Sequence, residues 1–417
     1  MAIRPFVPFW RLCSVLTLAL GLSACAAKKT GVPTLKFATW FGTTEAKQMQ
    51  AIISRINLRH TGEFQVEMMT IPGDYPTKID TMMAGKLAPD LFLLSHEYLP
   101  SYAAIGALAD LDSAIRSDPK IDLADYYPAA QDTSQWNGHY YGLPFVMMPI
   151  VLYYNKTLFD KADVPYPDGT MTWATFRDTA RKLTWKEASG RTVQWGFLQY
   201  TWPPLPIWIW QNGGDVLDTT RSHPTFDDPK TVEALTFVQD LVVTDKVSPA
   251  SGTVSQMGAD ELFKSGRIAM FFGGASDDKD QIPGMPVGTT VLPKGRQRAT
   301  FAWMGHLVVS SQSKHQALAY TAWRDMLDEF HRWKIVPPRR SLAKRLDEFA
   351  PKKAYAKETI LASMEYAHGI RGVVEQTDWD TFVLSTLIQP LLTGQVPAAQ
   401  AAANTQAKLQ RVLAVTP

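Results

Sequence analysis

Residues 143–159 read LPFVMMPIVLYYNKTLF, an apolar run that Pro144 and Pro149 interrupt. A proline cannot donate to a sheet ladder, so the run is too long and too proline-broken for one ordinary strand. It reads as a crossing, because the same grammar of strand and helix stands on both sides of it. Upstream, TLKFATW (34–40) has strand composition, and Met49, Ile52, Ile53 and Ile56 repeat at the spacing of one helical face. FQVEMMTI (64–71) alternates as a second strand. Tyr75, Ile79, Met82 and Met83 mark a second helix that Gly85 stops, and PDLFLLS (89–95) suits a strand covered on both faces. Such alternation predicts a mostly parallel sheet with helices packed on it.

Downstream, Thr172 caps a helix carrying Trp173, Phe176, Ala180 and Leu183. Asp228-Pro229 starts another, with a capping acid before the proline favoured at the first helical position. Val232, Leu235, Val238 and Val242 give it a buried face. A helix from Asp260, strands RIAMFF, VGTTVL and HLVVS, and a helix over 317–327 follow. AAQAAAN (398–404) is an alanine-rich helix of little chemical content, and no repeat appears.

The N-terminus carries Arg4 and Arg11, then an apolar run from Leu12 to Leu22 that is too short to cross a bilayer and reads as an export signal. Both cysteines of the chain fall before residue 26, and the second closes Leu22-Ser23-Ala24-Cys25. This stretch resembles a bacterial lipoprotein signal, in which the cysteine becomes the new N-terminus and carries a diacylglycerol. Cys25 is then an attachment point, acyl chains hold the body at a membrane surface, and KKTGVP (28–33) is a tether.

The 42 basic and 40 acidic residues lose two arginines with residues 1–24, leaving a neutral body. No global field points to nucleic acid. An exported body without a cysteine pair relies on its core, and its length suggests two domains.

Aromatics are the loudest chemical signal. YTWPPLPIWIWQNGGD (200–215) gathers Tyr200, Trp202, Trp208 and Trp210, and its prolines argue against a regular helix or strand. Rings on an irregular loop are good walls for a cleft, since a flat π-face stacks on the C–H face of a sugar. Asn212 offers an amide, and Gly213-Gly214 permits close backbone approach or a plain turn. GTTEAK places Glu45 and free N–H groups at a helix start just after Trp40, as a ligand site or as a capping box. No GxSxG, HExxH, CxxC, Walker or GxGxxG motif is present, and the eight histidines show no metal-ligand spacing. Asp277-Asp278 could in principle serve a glycosidase, and Arg339-Arg340 could bind an anion.

Nine ordered markers, among them LKFATWFGTTEAKQMQAIISRINLRH (35–60), NGHYYGLPF (137–145), WQNGGDVLD (210–218), FKSGRIAMFF (263–272) and AWMGHLVVSSQSKHQALAY (302–320), carry a resemblance. The chain resembles the family 1 extracellular solute-binding proteins, receptors of carbohydrate ABC importers that are similar in fold to maltose-binding protein. The resemblance covers most of residues 34–395. It implies a bilobal α/β, type II periplasmic-binding-protein-like fold with a multi-crossing hinge. Residues 1–24 form the signal, 25–33 the anchored tether, 34–145 plus 290–333 lobe 1, and 146–289 plus 334–417 lobe 2. Crossings are expected near 143–148, 286–292 and 333–338.

The resemblance also implies a sugar or oligosaccharide in the interlobe cleft, permease subunits as partners, no cofactor, no catalysis and a monomeric, exported, lipid-anchored body. Carried onto this chain, the cleft residues are Trp40, Gly42, Glu45, Ser95, Tyr98, Tyr141, Trp208, Trp210, Asn212, Gly213, Gly273, Trp303 and Gly305. Asp90 supports a strand end. PPRR and MGHL depart from the family pattern around Arg339 and His306. A glycerol-3-phosphate or glycerophosphodiester receptor, with Arg339 on the anion, and a surface glycosidase are the alternatives.

Overall fold

The computed structural model describes residues 31–202, 204–333 and 336–414. The signal segment and Cys25 lie outside these residues, as do Lys334 and Ile335 of the third expected crossing. No helix among the described residues is long and apolar enough to cross a membrane.

From Pro33 on the chain is built around one mixed sheet. Its spatial order is Gln65–Thr70, Thr34–Thr39, Leu91–Ser95, Thr300–Val309, Gly142–Asn155, Ile268–Gly274, Thr192–Leu198 and Trp185–Lys186. Thr34–Thr39 runs parallel to both its neighbours, and Thr192–Leu198 runs parallel to Ile268–Gly274. The middle of the sheet is antiparallel, which corrects the mostly parallel expectation. Parallel pairs need a covering helix between them. Thr43–Arg59 supplies one, burying Met49, Ile52, Ile53 and Ile56 as their spacing predicts, and Tyr75–Ala84 supplies the next.

Within 143–159 all but the last four residues belong to one strand of 14 residues, Gly142–Asn155, with both prolines inside it, and the last four begin helix Lys156–Lys161. The bar to a proline is the missing N–H, and here the ladder yields around it. Pairing with Thr300–Val309 passes from Gly305↔Val146 to His306↔Pro144, so a bulge falls at Phe145. The carbonyls of both prolines still work: Pro144 accepts from His331 Nε2–H at 2.9 Å, and Pro149 accepts from the Ala275 N–H at 2.9 Å.

This strand is also a crossing. Among the described residues, one buried cluster takes in its second half and another lies beside its start, where Gly142 pairs with Val308. The larger gathers Ile150, Leu152, Phe176, Phe197, Trp208, Phe272 and Phe301, and takes in Val373, Trp379 and Leu409 from the C-terminal segment. The smaller gathers Ala38, Ile79, Phe92, Leu94, Tyr102 and Val308. Strand Thr300–Val309 also spans both, with Phe301 in one cluster and Val308 in the other. The second passage therefore lies inside that strand rather than at 286–292, because Leu292 and Ala299 still pack in the larger cluster.

Local signals for the outer helices hold. Thr172 and Thr175 exchange the reciprocal bonds of a capping box before helix Trp173–Lys182. Asp228 Oδ1 accepts the Lys230 N–H at 2.7 Å at the head of helix Pro229–Gln239.

A cleft between the two cores

Trp40 follows the end of the first strand at Thr39, just before the helix that begins at Thr43, and Trp303 stands midway along the crossing strand. Their rings meet edge to face, with centroids 6.1 Å apart at 63°. Tyr75 meets the Trp40 ring at 5.2 Å and 83°. Such tilted pairs fix ring orientation beyond what area burial alone gives.

These two indoles divide a cleft into two chambers, and both line each one. The larger, about 860 Å³, has Tyr75, Ser95, Tyr98 and Tyr102 on the side of the smaller core, and Glu375, Thr377 and Asp378 opposite. The smaller, about 580 Å³, has Glu45, Gln48 and Met148 on one side and Ser276, Asp277 and Asp278 on the other. Six aromatic rings wall the larger chamber. Among its described lining residues there is an acidic group in Asp80, Glu375 and Asp378 but no lysine, arginine or histidine. Aromatic faces there can stack on apolar faces of a ligand while carboxylates accept its hydroxyl hydrogens.

Polar groups behind the wall are engaged. Trp303 Nε1–H donates to Ser95 Oγ at 2.8 Å, and the Ser95 hydroxyl donates to Glu97 Oε2 at 2.6 Å. His96, buried, lies 2.9 Å from the same carboxylate. Burial would raise the Glu97 carboxyl, but His96 and the Ser95 hydroxyl outweigh it and hold it below the usual carboxylate range. Asp277 is pushed up by burial, with Lys279 and the Gly274 N–H opposing. Tyr102 donates to Asp80 Oδ1 at 2.5 Å.

Chain from the larger core also reaches across. The Ile370 N–H donates to His96 Nε2 at 3.1 Å, Ser101 Oγ donates to the Val373 carbonyl at 3.1 Å, and Tyr98 donates to Asp380 Oδ2 at 3.1 Å.

Of the residues expected in the cleft, Trp40, Ser95, Tyr98 and Trp303 come together in the larger chamber, and Glu45 joins Trp40 and Trp303 in the smaller. Gly305 backs this wall: a Cβ there would sit 2.6 Å from the Phe145 ring and 3.0 Å from Trp303. Gly273 lies on the strand leading to Ser276, where a Cβ would press on Phe271 and Tyr153. Gly42 borders a separate hollow and heads its helix without a side-chain cap, so no Thr–Glu capping box forms. Tyr141 packs against the smaller core.

The proline-broken stretch departs most from expectation. Pro206 occupies the first turn of helix Pro206–Gln211, where no N–H is needed, so it starts a helix instead of forbidding one. Trp208 is 1% exposed in the larger core, edge-on to Trp173 and stacked with Phe272, and its N–H is taken by Gln199. Trp210 stacks on His368 and donates to Asp215, in a hollow of about 290 Å³ apart from both chambers. Asn212 donates to the Lys230 carbonyl and Glu233 and accepts from Arg296, while Gly213 turns at φ +75. Arg339 is paired with Asp125 at 2.9 Å and lies near Asp328, in an outer hollow with Tyr126 and His331. None of Trp208, Trp210, Asn212, Gly213 or Arg339 lines either chamber, so the structure does not bring them together with Trp40 and Trp303. Asp90 accepts from the Lys36 N–H and from Ser313, as a strand-end support does.

Sequence reasoning missed Tyr75, Asp80, Tyr102, Glu375, Thr377 and Asp378. Tyr75 was legible only as helix core, and the acids of the C-terminal segment carry no local motif. No group of three His, Cys, Asp or Glu side chains among the described residues could hold a metal ion.

Two α/β cores threaded by shared strands, with an aromatic-walled cleft between them, define a bilobal fold of the type II periplasmic-binding-protein kind. An ABC substrate-binding protein of Listeria monocytogenes, solved in complex with cycloalternan, is similar with a TM-score of 0.79 and 26% identity, over 92% of this chain and 100% of that one. The cyclic α-maltosyl-1,6-maltose binding protein of Arthrobacter globiformis shares the fold with a TM-score of 0.77 at 20% identity, over 92% and 99% of the two chains. A maltotriose-binding protein of Pyrococcus abyssi is 25% identical over 210 residues, which are 49% of this chain and 42% of that protein. The family model described as bacterial extracellular solute-binding protein matches residues 42–323, and the chain belongs to that family.

Proposed function

We propose that the protein captures an oligosaccharide in the chambered cleft and hands it unchanged to an ABC importer. The observation that carries this reading is the Trp40–Trp303 pair, two indoles set edge to face between two cores and open to a chamber on each side. A volume of about 860 Å³ suits more than one sugar ring. Closure needs only differential affinity, since a guest that touches both lobes favours the closed state by the worth of the added contacts. Similarity to a protein solved with cycloalternan and to one named for maltotriose supports a glucan-type guest.

A phosphorylated guest is disfavoured by the charge of the larger chamber, and by the engagement of Arg339 with Asp125 outside it. Export and a diacylglycerol on Cys25 complete the proposal, so that a monomer is held at the bacterial membrane facing outward.

Thermal-shift titration with maltotriose, cyclic glucans and glycerol-3-phosphate tests the ligand class. A rise in midpoint with glucans alone supports the proposal. A rise with glycerol-3-phosphate alone, or recovery of a hydrolysed glycan, refutes it. Cys25→Ser is expected to move the protein from the membrane fraction to the soluble one.

A further inference from the structure

Glu97 does not line either chamber, yet it is the end point of a chain of hydrogen bonds that begins on the cleft wall. The Trp303 indole N–H donates to Ser95, the Ser95 hydroxyl has one proton and gives it to Glu97 Oε2, and His96 Nδ1 lies 2.9 Å from that same oxygen. Each donor faces one acceptor, so the order is fixed: rotating the indole away would leave the Ser95 lone pair and the indole N–H unpaired together.

We propose that Glu97 is a positioning residue, which acts through Ser95 to hold the stacking face of Trp303 toward the cleft. The claim that this face receives the guest rests on the function proposed above. Ser95 thereby serves the wall rather than the ligand. Its hydroxyl proton is committed to Glu97 and one lone pair to Trp303, and the indole presents its π-face, with its N–H already spent.

The arrangement ties orientation to closure. The turn that carries Glu97 is the one on which the far lobe rests, through the Ile370 N–H on His96 Nε2 and through Gly372, whose missing side chain lets it sit against the Glu97 carbonyl. A charge-assisted acceptor at position 97 shortens and strengthens the bond it receives, which makes the preceding one more cooperative.

The test uses the whole protein labelled with ¹⁵N-tryptophan and free of ligand, with the Trp303 indole signal assigned by its loss in Trp303→Phe. Ser95→Ala and Glu97→Ala are each expected to shift that signal and to speed its hydrogen exchange roughly tenfold. Ser95→Thr, which keeps the hydroxyl, is expected to restore both, and Glu97→Gln, which keeps an acceptor without charge, is expected to fall between. A Trp303 signal and exchange rate unmoved in both alanine variants overturn the proposal. Should an alanine variant not fold, an unmoved signal in Glu97→Gln overturns it, and a shift there with none in Ser95→Thr supports it. Maltotriose titration of the same variants is expected to show affinity roughly tenfold weaker for the alanine pair. Because the exchange is read without ligand, absence of maltotriose binding in the unmodified protein would count against the functional reading and leave the exchange result standing.

Discussion

A Cβ placed on Gly372 would lie 1.9 Å from the carbonyl oxygen of Glu97. One residue belongs to the C-terminal segment that packs with the larger core, and the other to the turn beyond strand Leu91–Ser95 of the smaller, so this is where the two lobes approach without a side chain between them. Backbone cannot yield as a flexible side chain can. Gly372→Val is expected to wedge the lobes apart and weaken glucan binding roughly tenfold or more, with a larger radius of gyration in solution scattering. An unchanged radius and affinity would show that the contact does not limit closure.

Truncating tryptophans should separate core from wall. Trp208→Ala empties a fully buried site and is expected to cost about 3–5 kcal/mol of folding stability in urea titrations. Trp303→Ala removes part of the cleft and is expected to weaken glucan binding by about 2 kcal/mol, since buried aromatic anchors dominate recognition. Equal losses of stability with no difference in affinity would contradict the assignment.

Lys353 and Asp280 form an ion pair at 2.7 Å with side chains 1% and 3% exposed. The lysine also bonds the Asp277 carbonyl, so the pair fixes the loop that lines the smaller chamber. Lys353→Met leaves Asp280 buried without its countercharge, at an expected cost of about 3–5 kcal/mol. Adding Asp280→Asn should recover part of that loss, read as the coupling in a double-mutant cycle.

Burial holds the His331 imidazole down to about 4, with Pro144 opposing. Nε2–H donates to the Pro144 carbonyl and Nδ1 has no hydrogen-bond partner, so a second proton would find no acceptor. The unfolded chain takes up that proton near pH 6.5 and the folded one does not. Its contribution to stability is therefore full above about 6.5 and is lost as the pH falls toward 4, amounting to about 2 kcal/mol by pH 5. His331→Gln is expected to flatten the urea midpoint between pH 7 and pH 5 relative to the unmodified protein. A slope identical in both would remove His331 as its source.

Much of the fold was legible because helix faces and caps are local. Met49, Ile52, Ile53 and Ile56 repeat at helical spacing, and Thr172 and Asp228 sit where helices begin, so periodicity and capping chemistry locate these elements without any tertiary knowledge. The prolines misled twice, in Gly142–Asn155 and in Pro206–Gln211, because what a proline forbids depends on which N–H its neighbours need. Trp40 and Trp303 could be carried from a resemblance. Asp80, Glu375 and Asp378 could not, since they approach one another only after two distant segments fold onto opposite sides of one cavity.

Trp303 lies two residues from Gly305, where the pairing shifts around the bulge at Phe145, on a strand shared by both cores. If the lobes close as proposed, a ring on the shared strand travels a short arc, while Glu375 and Asp378, on the segment that packs with the larger core, sweep a longer one. On that proposal a guest would land on a nearly stationary shelf first and meet the acids second, separating the speed of capture from the choice of what is kept.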